Sequence, residues 1–310
     1  MNNRSLGSTG PQVGALGLGC MGMSPPYGLA GRTESIATIH AALDAGVTLI
    51  DTGDFYGMGH NEMLLGEALR TAPAGLRDKA VTSVKFGVLR DVAGGWGGYD
   101  GRPAAVRNFV AYSLQRLGVD HIDIYRLARL DPTVPIEDTV GAIAELVEMG
   151  HVRHIGLSEV DADTIRRAAA VAPICDVQIE YSLLERGIED AILPTVRELG
   201  IGVTAYRVLG NGLIPGRSAA GRPWRGGRAW APSPADDAQR SRVIDAARKI
   251  AAQGGISVAQ LAIAWTLSRG QDIVPVIGAR TPERLSEALG ALAVTLSESD
   301  LAAMDRVAQR

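Results

Sequence analysis

The sequence predicts a single (β/α)8 barrel on three observations. Eight short apolar runs alternate with longer amphipathic ones, glycine recurs at helix-to-strand junctions, and the two irregular stretches each follow a strand. The strand-like runs are residues 15–19, 48–52, 80–85, 123–128, 154–158, 176–181, 202–206 and 273–277. Helical patterns between them cover 33–45, 62–70, 103–117, 136–149, 162–170, 189–199 and 258–268. Strict alternation of this kind means βα units on a parallel sheet, whose strands are buried on both faces and read as nearly continuous apolar runs. Gly46, Gly118, Gly150 and Gly200 each close a helical segment ahead of a strand, where the left-handed conformation is needed. Residues 4–13 (RSLGSTGPQV) predict a small hairpin placed to plug the bottom of the barrel. Residues 90–102 (RDVAGGWGGYDGR) and the Gly-, Arg-, Pro- and Trp-rich residues 209–236 predict long loops on the catalytic face.

Composition bounds the partners. The 310 residues, 46% hydrophobic and 21% charged, suffice for one large core, and residues 1–310 read as one domain. A net charge of -3 argues against nucleic acid as a bulk electrostatic partner. No apolar run approaches the roughly 18 residues of a membrane span, and MNNRSLGSTG lacks the apolar segment of a secretory signal. Cys20 and Cys175 stand far apart without metal-ligand spacing, so neither a disulfide scaffold nor a metal site is expected. A reducing, cytoplasmic setting fits these features best. Oligomeric state leaves no signal in the sequence.

The chemistry concentrates in LIDTGDFYGMGHNEMLLGEAL, where Asp51 ends an apolar strand and Tyr56 follows in a Gly-flanked loop. The next strand ends in VTSVKFG and brings Lys85 to the same end of the barrel. A free phenol has a pKa of about 10, and a neighbouring ammonium lowers it, so the phenol can give a proton near neutral pH. Asp51 would hold Lys85 charged and oriented. Three residue types alone fit equally well a structural Asp–Lys pair beside a packing tyrosine.

The surrounding words decide between these readings. LGLGCMGMS, LIDTGDFYG, VTSVKFG, HIDIYRLARLDP, VRHIGLSE, DVQIEYSLLER, GVTAYRVLGNGLIPG and PVIGARTPERLSEALGAL together resemble the aldo-keto reductase superfamily, in its order and over nearly the whole chain. The branch it is most similar to includes potassium-channel β subunits and pyridoxal-type reductases. The resemblance implies a (β/α)8 barrel that binds NADP(H) without a Rossmann motif, with Tyr56 as general acid and Asp51 and Lys85 as its partners. It also exposes a departure: the family's catalytic histidine position holds Ala128. Arg126, two residues earlier on the same side of the strand, is expected either to supply a substitute donor or to pair with a buried acid. His121 lies at the wrong end of that strand to replace the histidine.

For the cofactor, the resemblance implies Ser158 and Gln178 as carboxamide ligands, Glu159 where asparagine is usual, and Tyr206 stacked on the nicotinamide. Met21, in the first motif, is carried over as a further cofactor contact, and Arg207, Leu209 and Gly210 as the loop near the pyrophosphate. Gly278, Arg280, Arg284 and Glu287 match the segment that grips the adenosine end, and Ala288 replaces a common asparagine. Two arginines at a helix start suit the extra phosphate of NADP, so NADPH is the expected cofactor. Tyr27, Trp96, Trp224 and Trp230 are the expected substrate-facing aromatics, around a pocket for small aldehydes or ketones. The implied activity is NADPH-dependent carbonyl reduction. The alternative is a weakly active NADP(H)-binding redox module, kept open by Ala128 and Glu159.

Overall fold

The computed structural model describes residues 2–25, 31–212, 214 and 234–308. A two-stranded antiparallel hairpin, β1 (Asn3–Ser5) and β2 (Gln12–Gly14), precedes the barrel. The first barrel strands are β3 (Gly17–Gly19), β4 (Leu49–Gly53) and β5 (Val81–Phe86). A second small hairpin, β6 (Val88–Arg90) and β7 (Trp96–Tyr99), stands on the mouth. The remaining barrel strands are β8 (Ile122–Leu127), β9 (Val152–Ser158), β10 (Ile174–Glu180), β11 (Gly202–Tyr206) and β12 (Ile273–Ile277). All eight are parallel and close in the order β3-β4-β5-β8-β9-β10-β11-β12, with β12 back on β3. The molecule is a (β/α)8 barrel.

Among the described residues, ten α-helices accompany them: α1 (Arg32–Asp44), α2 (His60–Thr71), α3 (Pro103–Leu117), α4 (Ile136–Glu148), α5 (Ala162–Ala169), α6 (Ile192–Glu198), α7 (Pro234–Gln253), α8 (Val258–Ser268), α9 (Pro282–Leu289) and α10 (Glu298–Ala308). Local chemistry sets several starts. Pro103 opens α3, the Asp161 side chain caps α5, and Ser257 with Gln260 forms a reciprocal capping box on α8. The four junction glycines all have positive φ, from 67° to 85°, as expected of residues that end a helix before a strand.

The first hairpin does plug the bottom. Leu6 is fully buried among Leu49, Ile124, Val274 and Cys175. Arg4 crosses to the far end of the chain and donates to the Gly270 carbonyl at 2.7 Å and the Leu267 carbonyl at 3.0 Å. Gly7 (φ 68°) lies so close to the strands that a Cβ there would sit 2.6 Å from the Cys175 carbonyl oxygen.

Two expectations are corrected. Residues 90–102 are not irregular: Val88 pairs with Tyr99 and Leu89 with Gly98, and the hairpin leads into α3. Two glycines in one strand (WGGY) hide its propensity from a composition reading. The other stretch, 209–236, overlaps α7, whose first residue is Pro234. No single helix among the described residues is long and apolar enough to cross a membrane.

Candidate active site

The strand register delivers the site. Asp51 on β4 faces Ser83 on β5, and Gly53 faces Lys85, so the carboxylate and ammonium reach the same level of the barrel. Lys85 Nζ donates to Asp51 Oδ2 at 2.5 Å, with both side chains nearly buried. The other Asp51 oxygen accepts from Ser83 Oγ at 2.9 Å and Gln178 Nε2 at 2.8 Å. This carboxylate is therefore fixed from three sides.

Tyr56 sits in the turn between β4 and α2 and is 6% exposed. The Lys85 ammonium lies 5.2 Å from its ring centroid. Phe55 packs edge-on against Tyr56 at 4.8 Å, and Trp96 of the mouth hairpin lies 6.0 Å from Phe55. Asn61, at the start of α2, anchors this turn: it accepts from Thr52 Oγ1 at 2.6 Å and donates to the Cys20 carbonyl and to Ser24 Oγ. Sequence reasoning passed over Asn61, although it lies in the same motif as Tyr56.

Burial pulls the Lys85 ammonium below its ordinary value, against the opposing pull of Asp51, and the charges of Arg126 and Arg129 add to the lowering. The chemistry this permits is proton handling beside a cation held in place by one carboxylate.

One cavity of about 710 Å³ opens at this end of the barrel, and Asp51, Tyr56 and Lys85 all line it. The cavity runs past Trp96, Ala128, Arg129 and Ser158 to Gln178, Tyr206, Arg207 and Leu209. Met21, Gly278, Arg280, Arg284 and Glu287 line its other arm. The sequence-expected residues are thus brought together with three exceptions among the described ones. Arg126 lies beneath the cavity, Glu159 lies beside it, and Gly210 falls in a short 3-10 turn behind Leu209. Tyr27, Trp224 and Trp230 lie outside the described residues.

Arg126 is fully buried and its Nη1 donates to Asp176 Oδ2 at 2.9 Å and Thr204 Oγ1 at 3.2 Å. Its Nη2 donates to Ser83 Oγ at 3.1 Å. Of the two arrangements the sequence allowed, this geometry is the pair with a buried acid. Burial works against the guanidinium charge, but Asp176 and Asp51 outweigh it and hold Arg126 above its ordinary value. Glu159 takes a left-handed backbone (φ 54°), which asparagine adopts more readily, and its Oε1 accepts from the Glu180 backbone at 2.9 Å. Arg207 also has positive φ (53°) and pairs with Glu180 at 2.6 Å.

Arg129 is a cavity residue that sequence reasoning missed. It donates through Nη1 to the Ala128 carbonyl at 2.6 Å, and its Nη2 lies 3.5 Å from the Tyr206 hydroxyl.

The walls fit a nicotinamide dinucleotide. Ser158 Oγ is buried at the cavity wall with no hydrogen-bond partner among the described residues. Such an orphan costs about 1–3 kcal/mol, which a carboxamide would relieve. At the other arm, the Thr281 side chain caps α9 between Arg280 and Arg284, a start suited to a phosphate.

A (β/α)8 barrel with an Asp–Lys–Tyr cluster at its mouth defines a class of oxidoreductases that act on carbonyl compounds. The Aldo/keto reductase family profile matches residues 15–309, and the chain belongs to that family. A "Probable aldo-keto reductase 1" of Glycine max is 40% identical over 304 residues, spanning 96% of this chain and 86% of the relative. Among solved structures, the glycerol dehydrogenase AKR11B4 from Gluconobacter oxydans has a TM-score of 0.85 at 29% identity, covering 98% of this chain and 94% of that one. The thermostable aldo-keto reductase Tm1743, in complex with the inhibitor epalrestat, has a TM-score of 0.80 at 26% identity, covering 99% of this chain and all of its own.

Proposed function

We propose that this chain reduces small aldehydes or ketones to alcohols with NADPH, with Tyr56 as the proton donor. The observation that carries the reading is the shared cavity: Tyr56, Lys85 and Ser158, whose hydroxyl has no hydrogen-bond partner among the described residues, all line it. Ser158, Gln178 and Tyr206 would hold the nicotinamide end, with Arg207 and Leu209 along the middle. Arg280, Arg284 and Glu287 would hold the adenosine end and its extra phosphate, and Met21 and Gly278 flank it.

A reduced nicotinamide bound there supplies a hydride. The protein's part is to balance it. Tyr56 gives its proton to the carbonyl oxygen as the carbon–oxygen double bond becomes a single bond, and solvent returns a proton to the phenolate. Lys85 stabilises that phenolate, and Asp51 keeps the ammonium aimed at the ring. The aromatic wall of Phe55, Trp96 and Tyr99 excludes water from the reacting oxygen.

The test is loss of NADPH absorbance against a panel of aldehydes. Wild type is expected to consume NADPH, and Tyr56→Phe to lose about 10²–10⁴-fold in rate while still binding it. Undiminished turnover by Tyr56→Phe removes the proton-donor assignment. One observation favours a second reading, a slow redox-sensing module: the wall offers the methyl group of Ala128 where the family carries an imidazole. Tight NADPH binding with no oxidation by any aldehyde would select it.

A further inference from the structure

We propose that Arg129 makes this cavity selective for carbonyl substrates that also carry a carboxylate, which its guanidinium pairs. The proposal rests on the reductase reading above and names the substrate class of the same site. It starts from the charge balance around the cavity. Lys85 is matched by Asp51 at 2.5 Å, Arg126 by Asp176 at 2.9 Å, and Arg207 by Glu180 at 2.6 Å. Arg129 lines the same cavity, and no carboxylate lies within 4.0 Å of it among the described residues.

Arginine cannot shed its charge by losing a proton. A half-buried guanidinium with no carboxylate beside it among the described residues therefore presents a positive charge to the cavity. Its two recorded contacts are with neutral oxygens, the Ala128 carbonyl and the more distant Tyr206 hydroxyl. The remaining N–H groups of its planar fork suit the two oxygens of a carboxylate. Ala128 lines the same cavity with only a methyl group, and Phe55, Val88, Trp96 and Tyr99 provide an apolar bed for the rest of such a molecule. The complement of this surface is an aromatic or aliphatic aldehyde bearing an acid group.

A matched pair tests it: 4-carboxybenzaldehyde against its neutral methyl ester, methyl 4-formylbenzoate, with wild type, Arg129→Met and Arg129→Lys. Wild type is expected to prefer the acid in kcat/KM. The acid-to-ester ratio is expected to fall by about 100-fold in Arg129→Met and by less in Arg129→Lys, which keeps the charge but not the fork. Isothermal titration with benzoate gives a readout that does not depend on turnover: wild type binds it, and Arg129→Met binds it at least about tenfold more weakly. An acid-to-ester ratio within about twofold of wild type in Arg129→Met, or benzoate affinity insensitive to the substitution, overturns the proposal. Failure of wild type to reduce either aldehyde counts against the reductase reading instead, and the benzoate titration still decides on Arg129.

Discussion

Arg126 and Asp176, from strands β8 and β10, meet at 2.9 Å inside the barrel, both with side chains at 0% exposure. The pair lies one layer below the catalytic cluster, and Ser83 joins the two layers, accepting from Arg126 at 3.1 Å and donating to Asp51 at 2.9 Å. A buried ion pair is costly to break from one side. Arg126→Leu is expected to destabilise the fold by about 3–5 kcal/mol, because Asp176 is left charged and alone. Replacing both residues with leucine should recover most of that loss. Equilibrium unfolding in urea checks both, and a double variant no more stable than the single one contradicts the account.

Lys85 lies 5.2 Å from the ring of Tyr56, and in the proposed reaction it stabilises the phenolate. Lys85→Met removes the cation that, in this mechanism, favours the phenolate over the phenol. Reduction needs the protonated phenol, so the alkaline limb of the pH–rate profile is expected to move up. The rate near neutrality is expected to fall by about 10²-fold or more. A limb that stays in place would show that Lys85 does not tune Tyr56.

Ala128 is buried and lines the cavity. Ala128→His places a hydrogen-bond donor at the carbonyl, and simple neutral aldehydes are expected to be reduced about tenfold faster. A decrease in steady-state rate would show that the cavity has been rebuilt around the methyl group.

Asp54 and Glu62 are both buried and repel each other behind the Tyr56 turn. Burial, then Glu62, pushes the Asp54 carboxyl well above its ordinary value. A raised carboxyl favours the protonated native state: the stability it adds is full below the unfolded aspartate value and is lost as pH rises through the raised one. Asp54→Asn stays neutral throughout, so its melting temperature relative to wild type is expected to climb from acid toward alkaline pH. Each kcal/mol corresponds to about 2–4 °C. A difference that is flat with pH contradicts this.

The alternation of apolar runs and helices was legible because both faces of a parallel strand are buried, as in VTSVKF and IVPVI. Strands such as β9 and β10 begin two residues earlier than the expected runs, and of the added residues Val152, Ile174 and Cys175 are themselves buried. Helices α7 and α10 were not among the expected ones; the run PADDAQRSR that opens α7 is too polar to show an apolar stripe. At the site, most of the residues carried by family motifs line one cavity, while Arg126, Glu159 and Gly210 do not. Arg129 and Asn61 were missed for a different reason. Their importance lies in which partners surround them, and partners distant in sequence leave no local trace.

The contacts of Arg4 have a consequence for how the molecule comes into being. Its carbonyl partners lie 263 to 269 residues further along the chain. The hairpin that carries Arg4 is therefore made well before these partners and finds its place only after they have been made. Until then the underside of the nascent sheet stays open and its apolar surface exposed, the interval in which such chains are most prone to aggregate.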